Sequence, residues 1–244
     1  MRASERVAAT LTPALSRTAG EGRGEGAGER GADVRPASPA RSPPVTTLLL
    51  VRHAAHVFQD AGVLVGRTPG VVLGDPGRAQ LPGLVGRTTA KPADAVLSSP
   101  MDRAVTTAAP IAERLGLPVE ITPDLQELDF GEWTGRSFAD LASDPSWTAW
   151  NTRRSAHRPP GGESMVEAQA RVVALAERLR LRHPAGRVVL VSHADVLRAL
   201  ILHALGLSLD LFGRIEVEPA SLSVLRAEAW GMRLLRLNDT GGPV

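Results

Sequence analysis

The stretch "LLLVRHAAHVFQD", residues 48–60, decides how the rest of the chain is read. Leu48, Leu49, Leu50 and Val51 form a short apolar run with no polar alternation, the pattern of a strand buried on both faces. The run ends on Arg52 and His53, followed closely by His56 and Gln59. An Arg-His pair at a strand end is chemically idle unless other segments bring partners to the same rim.

Those other segments repeat the design. From Thr46 onward, short apolar runs alternate with helical patterns, and the runs 46–52, 95–98 and 188–192 are expected as strands. After "LSSP" a helix is expected, with Ser99 as cap, Pro100 at its first position, Gly116 at its close, and Pro110 kinking or dividing it. Ser164 and Glu167 form a Ser-x-x-Glu capping box ahead of apolar residues at helical spacing, from Met165 to Leu179. "ADVLRALILHALG" (194–206) reads as a further helix stopped by Gly206. Two or three strands are expected at the end, in "RIEVE", "SLSVLRA" and "MRLLRL". Strands alternating with helices imply an α/β fold, a three-layer sandwich with a mainly parallel central sheet flanked by helices.

In such sheets ligands gather where the carboxyl ends of the strands emerge. The first strand delivers Arg52 and His53. The second leads into "SSPMDR", one helical turn from Arg103. The strand "VVLVSH" ends on His193, and a loop after another short strand carries Glu127 in "LQELDFGEW". Two guanidinium groups can clamp phosphate oxygens. A neutral imidazole between them can attack phosphorus, and a carboxyl can protonate the departing oxygen. Either histidine taken singly reads as structural; both arginines beside them turn the reading towards catalysis.

The segment from about 46 to 237 resembles the histidine phosphatase superfamily, which includes cofactor-dependent phosphoglycerate mutases and many small phosphatases. "VRHA" is similar to that family's Arg-His-Gly opening, "SSPMDRAVTTAAPIA" to its second arginine motif and "LQELDFGEWTG" to its acid motif. "PPGGES" and "VVLVSHADVLRAL" match its later segments, and all five stand in the family's order. The resemblance implies a phosphoglycerate mutase-like fold, His53 as nucleophile and phosphohistidine carrier, and Glu127 as proton donor and acceptor. It also implies that Arg52, Arg103 and His193 hold the phosphoryl group. The chain departs from the pattern at Ala54 for Gly, His56 for Thr or Ser, Gln59 for Asn, and Ala194-Asp195 for a Gly pair. His56 and Gln59 are therefore candidate substrate contacts in a pocket that differs from the family's usual one.

The activity expected is metal-independent hydrolysis of a small phosphate monoester, with no cofactor. The short stretch between "DFGEWTG" and "PPGGES" disfavours a mutase, and retention of both His53 and Glu127 disfavours a noncatalytic phospho-ligand binding protein. His53 and His56 could pair on a metal, but no third ligand is evident. Arg67 and Arg78 read as surface arginines, and Trp147 and Trp150 as packing residues. A sugar phosphate, a phosphate of cobamide synthesis and a phosphoprotein all remain open as substrates.

Bulk properties agree with this. The 244 residues are 43% hydrophobic, with four Phe, four Trp, no Tyr and no Cys, so thiolate catalysis and disulfides are excluded. The pI near 10.2 reflects the near absence of groups that titrate between pH 9 and 10, since the net charge is only +2. Residues 46–244 carry 21 basic and 21 acidic side chains, so a nucleic-acid partner is not expected. No run approaches the about 18 apolar residues of a membrane span, and a cytoplasmic location without a membrane is the expectation. Residues 1–44, rich in Gly, Arg, Glu, Ala and Pro, are expected to be a disordered extension ahead of a domain at 45–240. Oligomeric state is left open.

Overall fold

The computed structural model describes residues 44–242. Apart from Pro44, the extension expected over 1–44 lies outside the described residues. The strands are β1 (Thr46–Arg52), β2 (Ala95–Ser98), β3 (Val119–Ile121), β4 (Arg187–Ser192), β5 (Leu222–Glu228) and β6 (Gly231–Asp239). They form one sheet in the order β3-β2-β4-β1-β5-β6. β3, β2, β4 and β1 run parallel, while β5 and β6 are antiparallel additions on the β1 side.

Side-chain alternation along the strands makes this a three-layer fold. Leu48, Leu50, Val188 and Leu190 face one core, with α5 (Met165–Arg182) and α6 (Ala194–Ala204). Leu49, Val51, Val189 and Val191 face the other, with α1 (Asp75–Thr88) and α2 (Asp102–Leu115). Both faces of the central strands are thus apolar. That explains the unbroken hydrophobic runs read from sequence.

The Ser164–Glu167 capping box is formed with both of its hydrogen bonds. Gly116 takes the left-handed conformation that closes α2. Three local expectations need correction. The α2 helix starts at Asp102, not at Pro100, and Ser99 does not cap it; its hydroxyl is engaged by His193 instead. Pro110 lies within the continuous helix rather than dividing it. "RIEVE" is not a strand. Ile215 and Val217 are buried, but their carbonyls accept from Arg198 and Arg52 rather than from a neighbouring strand.

Helix α1 is not evident in its sequence, DPGRAQLPGLVGRT, because Gly and Pro oppose helix formation. Tertiary packing supports it instead. A side chain at Gly77 would collide with the Ala55 carbonyl, so glycine lets the helix press against the loop that follows β1. Between the acid motif and α5, α3 (Phe138–Ala142) and α4 (Pro145–Thr152) form an insert. Trp147 and Trp150 of this insert pack edge-on against Trp133, with ring centroids 5.2 and 5.6 Å away. No helix among the described residues is long and apolar enough to cross a membrane.

Candidate active site

The parallel register of β1 and β4 pairs Arg52 with Ser192. The next residue on each strand is a histidine, so His53 and His193 emerge side by side, their rings 5.0 Å apart and edge-on. The His53 N–H donates to the Ser192 carbonyl at 2.9 Å, continuing the ladder into the site. Arg103, the second residue of α2, reaches both rings: its Nε lies 3.3 Å from His53 Nε2 and its Nη2 3.2 Å from His193 Nδ1. Glu127 enters from the acid loop, with Oε2 3.8 Å from Arg103 Nη2 and 3.5 Å from His193 Nδ1. Arg52 completes the rim and is anchored by donation to the Val217 carbonyl at 2.7 Å.

Hydrogen bonding determines which ring nitrogens carry protons. His53 Nδ1 lies 2.8 Å from the Ala54 carbonyl, which can only accept, so the proton sits on Nδ1 and the lone pair on Nε2. Arg103 donates towards His193 Nδ1, leaving the proton of that ring on Nε2, 2.7 Å from Ser99 Oγ. Burial, together with Arg103 and Arg52, holds the His53 pKa well below its usual value. Burial and the neighbouring His53 and Arg103 do the same for His193. Both imidazoles are neutral at neutral pH. Burial also raises Glu127 to about 7; Arg103 opposes the rise and Asp195 adds to it. A carboxyl so placed can hold a proton and release it near neutrality.

Arg52 Nε and Arg103 Nη1 are buried and have no protein partner. Such donors are costly unless a ligand satisfies them. They border a cavity of about 170 Å³ together with His53, Glu127, His56 and Gln59. All six therefore lie at one site. His56 Nδ1 accepts the Phe58 N–H at 3.2 Å, and burial lowers the ring's pKa to about 4, helped by Arg103 and Arg52. Among the described residues, no group of three or more His, Cys, Asp or Glu side chains is gathered to hold a metal ion.

Residues that position the acid carry no signal of that role in the sequence. Arg67, read as a surface residue, donates from Nε to the Glu127 carbonyl at 2.7 Å and from Nη2 to Glu163 at 2.9 Å. Arg171 of α5 donates to Glu163 and to the Asp124 carbonyl, each at 2.7 Å. Gly131 (φ +51°) and Gly162 let the two glycine-bearing motifs meet backbone to backbone; a side chain on either would collide with the other segment. The Glu132 N–H then donates to the Pro160 carbonyl, and the Glu163 N–H to the Asp129 carbonyl. Arg78, by contrast, is exposed on α1 and away from the cavity.

Comparison with known proteins gives the family of the chain. Residues 48–240 match the sequence profile of the histidine phosphatase superfamily (branch 1). The chain belongs to that superfamily. The chain is 34% identical over 206 residues to a bifunctional protein of Mycobacterium tuberculosis, a match covering 83% of this chain and 56% of that protein. It thus spans little more than half the length of that relative. Phosphoserine phosphatase 1 of Hydrogenobacter thermophilus is 31% identical over 198 residues, which are 79% of this chain and 92% of that one. Among solved structures, the alpha-ribazole phosphatase of Shigella flexneri superposes with a TM-score of 0.71 at 28% identity, covering 81% of this chain and 98% of that one.

Proposed function

We propose that this histidine phosphatase hydrolyses small phosphate monoesters by two successive transfers at phosphorus, with His53 Nε2 as the carrier. The observation that carries the reading is the convergence of the unprotonated His53 Nε2, touched only by the long 3.3 Å contact from Arg103 Nε, with buried, unpartnered donors on Arg52 and Arg103. In the first transfer, Nε2 forms a bond to phosphorus as the ester P–O bond breaks, and the departing oxygen takes the proton of Glu127. In the second, the Glu127 carboxylate takes a proton from water, the water oxygen bonds to phosphorus, and the P–N bond breaks. Inorganic phosphate leaves, and both side chains return to their starting states. Arg52 and Arg103 hold the equatorial oxygens, where charge is spread during transfer, and His193 keeps Arg103 in place by accepting from its Nη2. His56 and Gln59 border the part of the cavity left for the alcohol.

The cavity volume supports a small-molecule substrate. The phosphatase activities named for relatives at 28–31% identity support hydrolysis. Rapid quenching with a labelled monoester tests the carrier. Wild type should yield an acid-labile, base-stable phosphoryl group on His53, and His53→Ala should lose both label and turnover. Full turnover by His53→Ala would refute the proposal.

A further inference from the structure

Asp195 stands where the family resemblance would place glycine, and it lines the same cavity as His53 and Glu127. Its Oδ2 accepts from Arg154 Nη1 at 2.9 Å, and its Oδ1 from Arg198 Nη1 at 3.4 Å. Arg154 is buried, with its guanidinium carbon 3.7 Å from the Trp150 ring centroid and 3.3 Å from that of Phe212. Its Nη2 is also occupied, by Asn151. Arg198 is tied to the Ile215 carbonyl through Nε. Neither arginine lines the cavity. Asp195 therefore lines the cavity, whereas the two guanidinium groups that it pairs with do not.

This has a consequence for the alcohol part of the substrate. The guanidinium groups that line the cavity are those of Arg52 and Arg103, which face the phosphoryl position. Arg67, nearby, is occupied by the Glu127 carbonyl and by Glu163. The rest of the wall includes Phe58, Leu64, Phe130 and Phe138. Among the described residues that line the cavity, a second anionic group on the substrate would meet a carboxylate and apolar rings and no cation beyond Arg52 and Arg103. An uncharged hydroxyl would find an acceptor, because each Asp195 oxygen has a lone pair beyond the one its arginine uses.

We infer that Asp195 is a specificity-determining residue, selecting phosphate esters of small, uncharged, hydroxyl-bearing alcohols over esters that carry a second anionic group. The inference rests on the phosphatase reading above. Arg154, held between Trp150 and Phe212, is the positioning residue that keeps the carboxylate in place. The insert carrying Trp150 thereby shapes the pocket as well as the core.

Glycerol 3-phosphate and 3-phosphoglycerate make a matched probe pair, since both are primary-alcohol esters and differ in a hydroxymethyl against a carboxylate. Wild type should favour glycerol 3-phosphate in kcat/KM by roughly tenfold or more, the size expected for a like charge in a partly screened site. Asp195→Asn should bring the ratio near unity, mainly by improving 3-phosphoglycerate. Arg198→Gln, which frees Oδ1, should widen it and provides the reading should Asp195→Asn not fold. Equal turnover of the two esters by wild type would overturn the inference, as would a ratio unchanged in folded Asp195→Asn or narrowed in Arg198→Gln. Wild type that cleaves an activated aryl phosphate but neither ester also overturns it. If wild type cleaves no monoester at all, the phosphatase reading itself fails, and this inference with it.

Discussion

Replacing Glu127 with glutamine separates what the carboxyl does for chemistry from what it costs the fold. The side chain is only 13% exposed. Burial is the main cause of its rise to about 7; Arg103 resists the rise and Asp195 reinforces it. In the unfolded chain the same group titrates near about 4.3. The folded state therefore holds the proton more tightly than the unfolded one. The resulting stabilisation is fully present below about pH 4 and is lost as pH rises through about 7. The difference between the two titrations amounts to about 4 kcal/mol once Glu127 is ionised in both states. The amide introduced by Glu127→Gln would keep the shape and could still accept the Leu128 N–H that Glu127 Oε1 accepts at 2.9 Å. It has no proton to lose. Relative to wild type, Glu127→Gln should thus gain about 4 kcal/mol between pH 4 and pH 9. For a domain of this size that is roughly 8–16 °C in Tm. Urea unfolding at constant ionic strength across that pH range measures it. A stability difference that stays flat to within about 1 kcal/mol, or shrinks as pH rises, would refute the argument.

Turnover of an alkyl ester should fall as pH rises through about 7, where Glu127 gives up the proton that the leaving oxygen needs; a pH–kcat series checks this. Glu127→Gln should be slow with alkyl esters yet form the phosphoenzyme readily from an activated aryl phosphate, and that species should accumulate in a quench experiment. Gly131→Ala forces a methyl group against the Pro160–Gly162 backbone at a positive φ; it should cost more than about 2 kcal/mol by denaturant unfolding and reduce kcat by displacing the acid loop. Phosphate release should be unchanged by EDTA, and loss of activity restored by a divalent ion would sink the mechanism.

The legible parts of this protein are those written in adjacent residues. The central strands announce themselves as apolar runs because both faces are covered, and the Ser164 cap is a local motif. Arg52, His53 and His193 can be picked out because strand ends of a parallel sheet share one rim. Helix α1 cannot, since its glycines and prolines conceal a segment that holds together through contacts with the Ala55 loop. The "RIEVE" segment alternates like a strand, yet its carbonyls are taken by arginines. The supports of the acid and of His193 are hidden for a related reason. Arg67, Arg171 and Ser99 act on a backbone carbonyl or a ring nitrogen far away in the chain. Such contacts leave no periodicity or motif to read.

The tryptophan cluster against which Arg154 packs also gives the protein an optical signature. With no tyrosine in the sequence, near-ultraviolet emission belongs to its four tryptophans. Trp133, Trp147 and Trp150 lie with ring centroids within 5.6 Å of one another, and the Arg154 guanidinium lies against Trp150. Trp230 is apart from them and largely exposed. Trp230→Phe would leave a signal arising wholly from the cluster, and a cationic group stacked on an indole quenches or shifts its fluorescence. Filling of the alcohol side of the cavity could then be followed by light, in real time and without a chromogenic substrate.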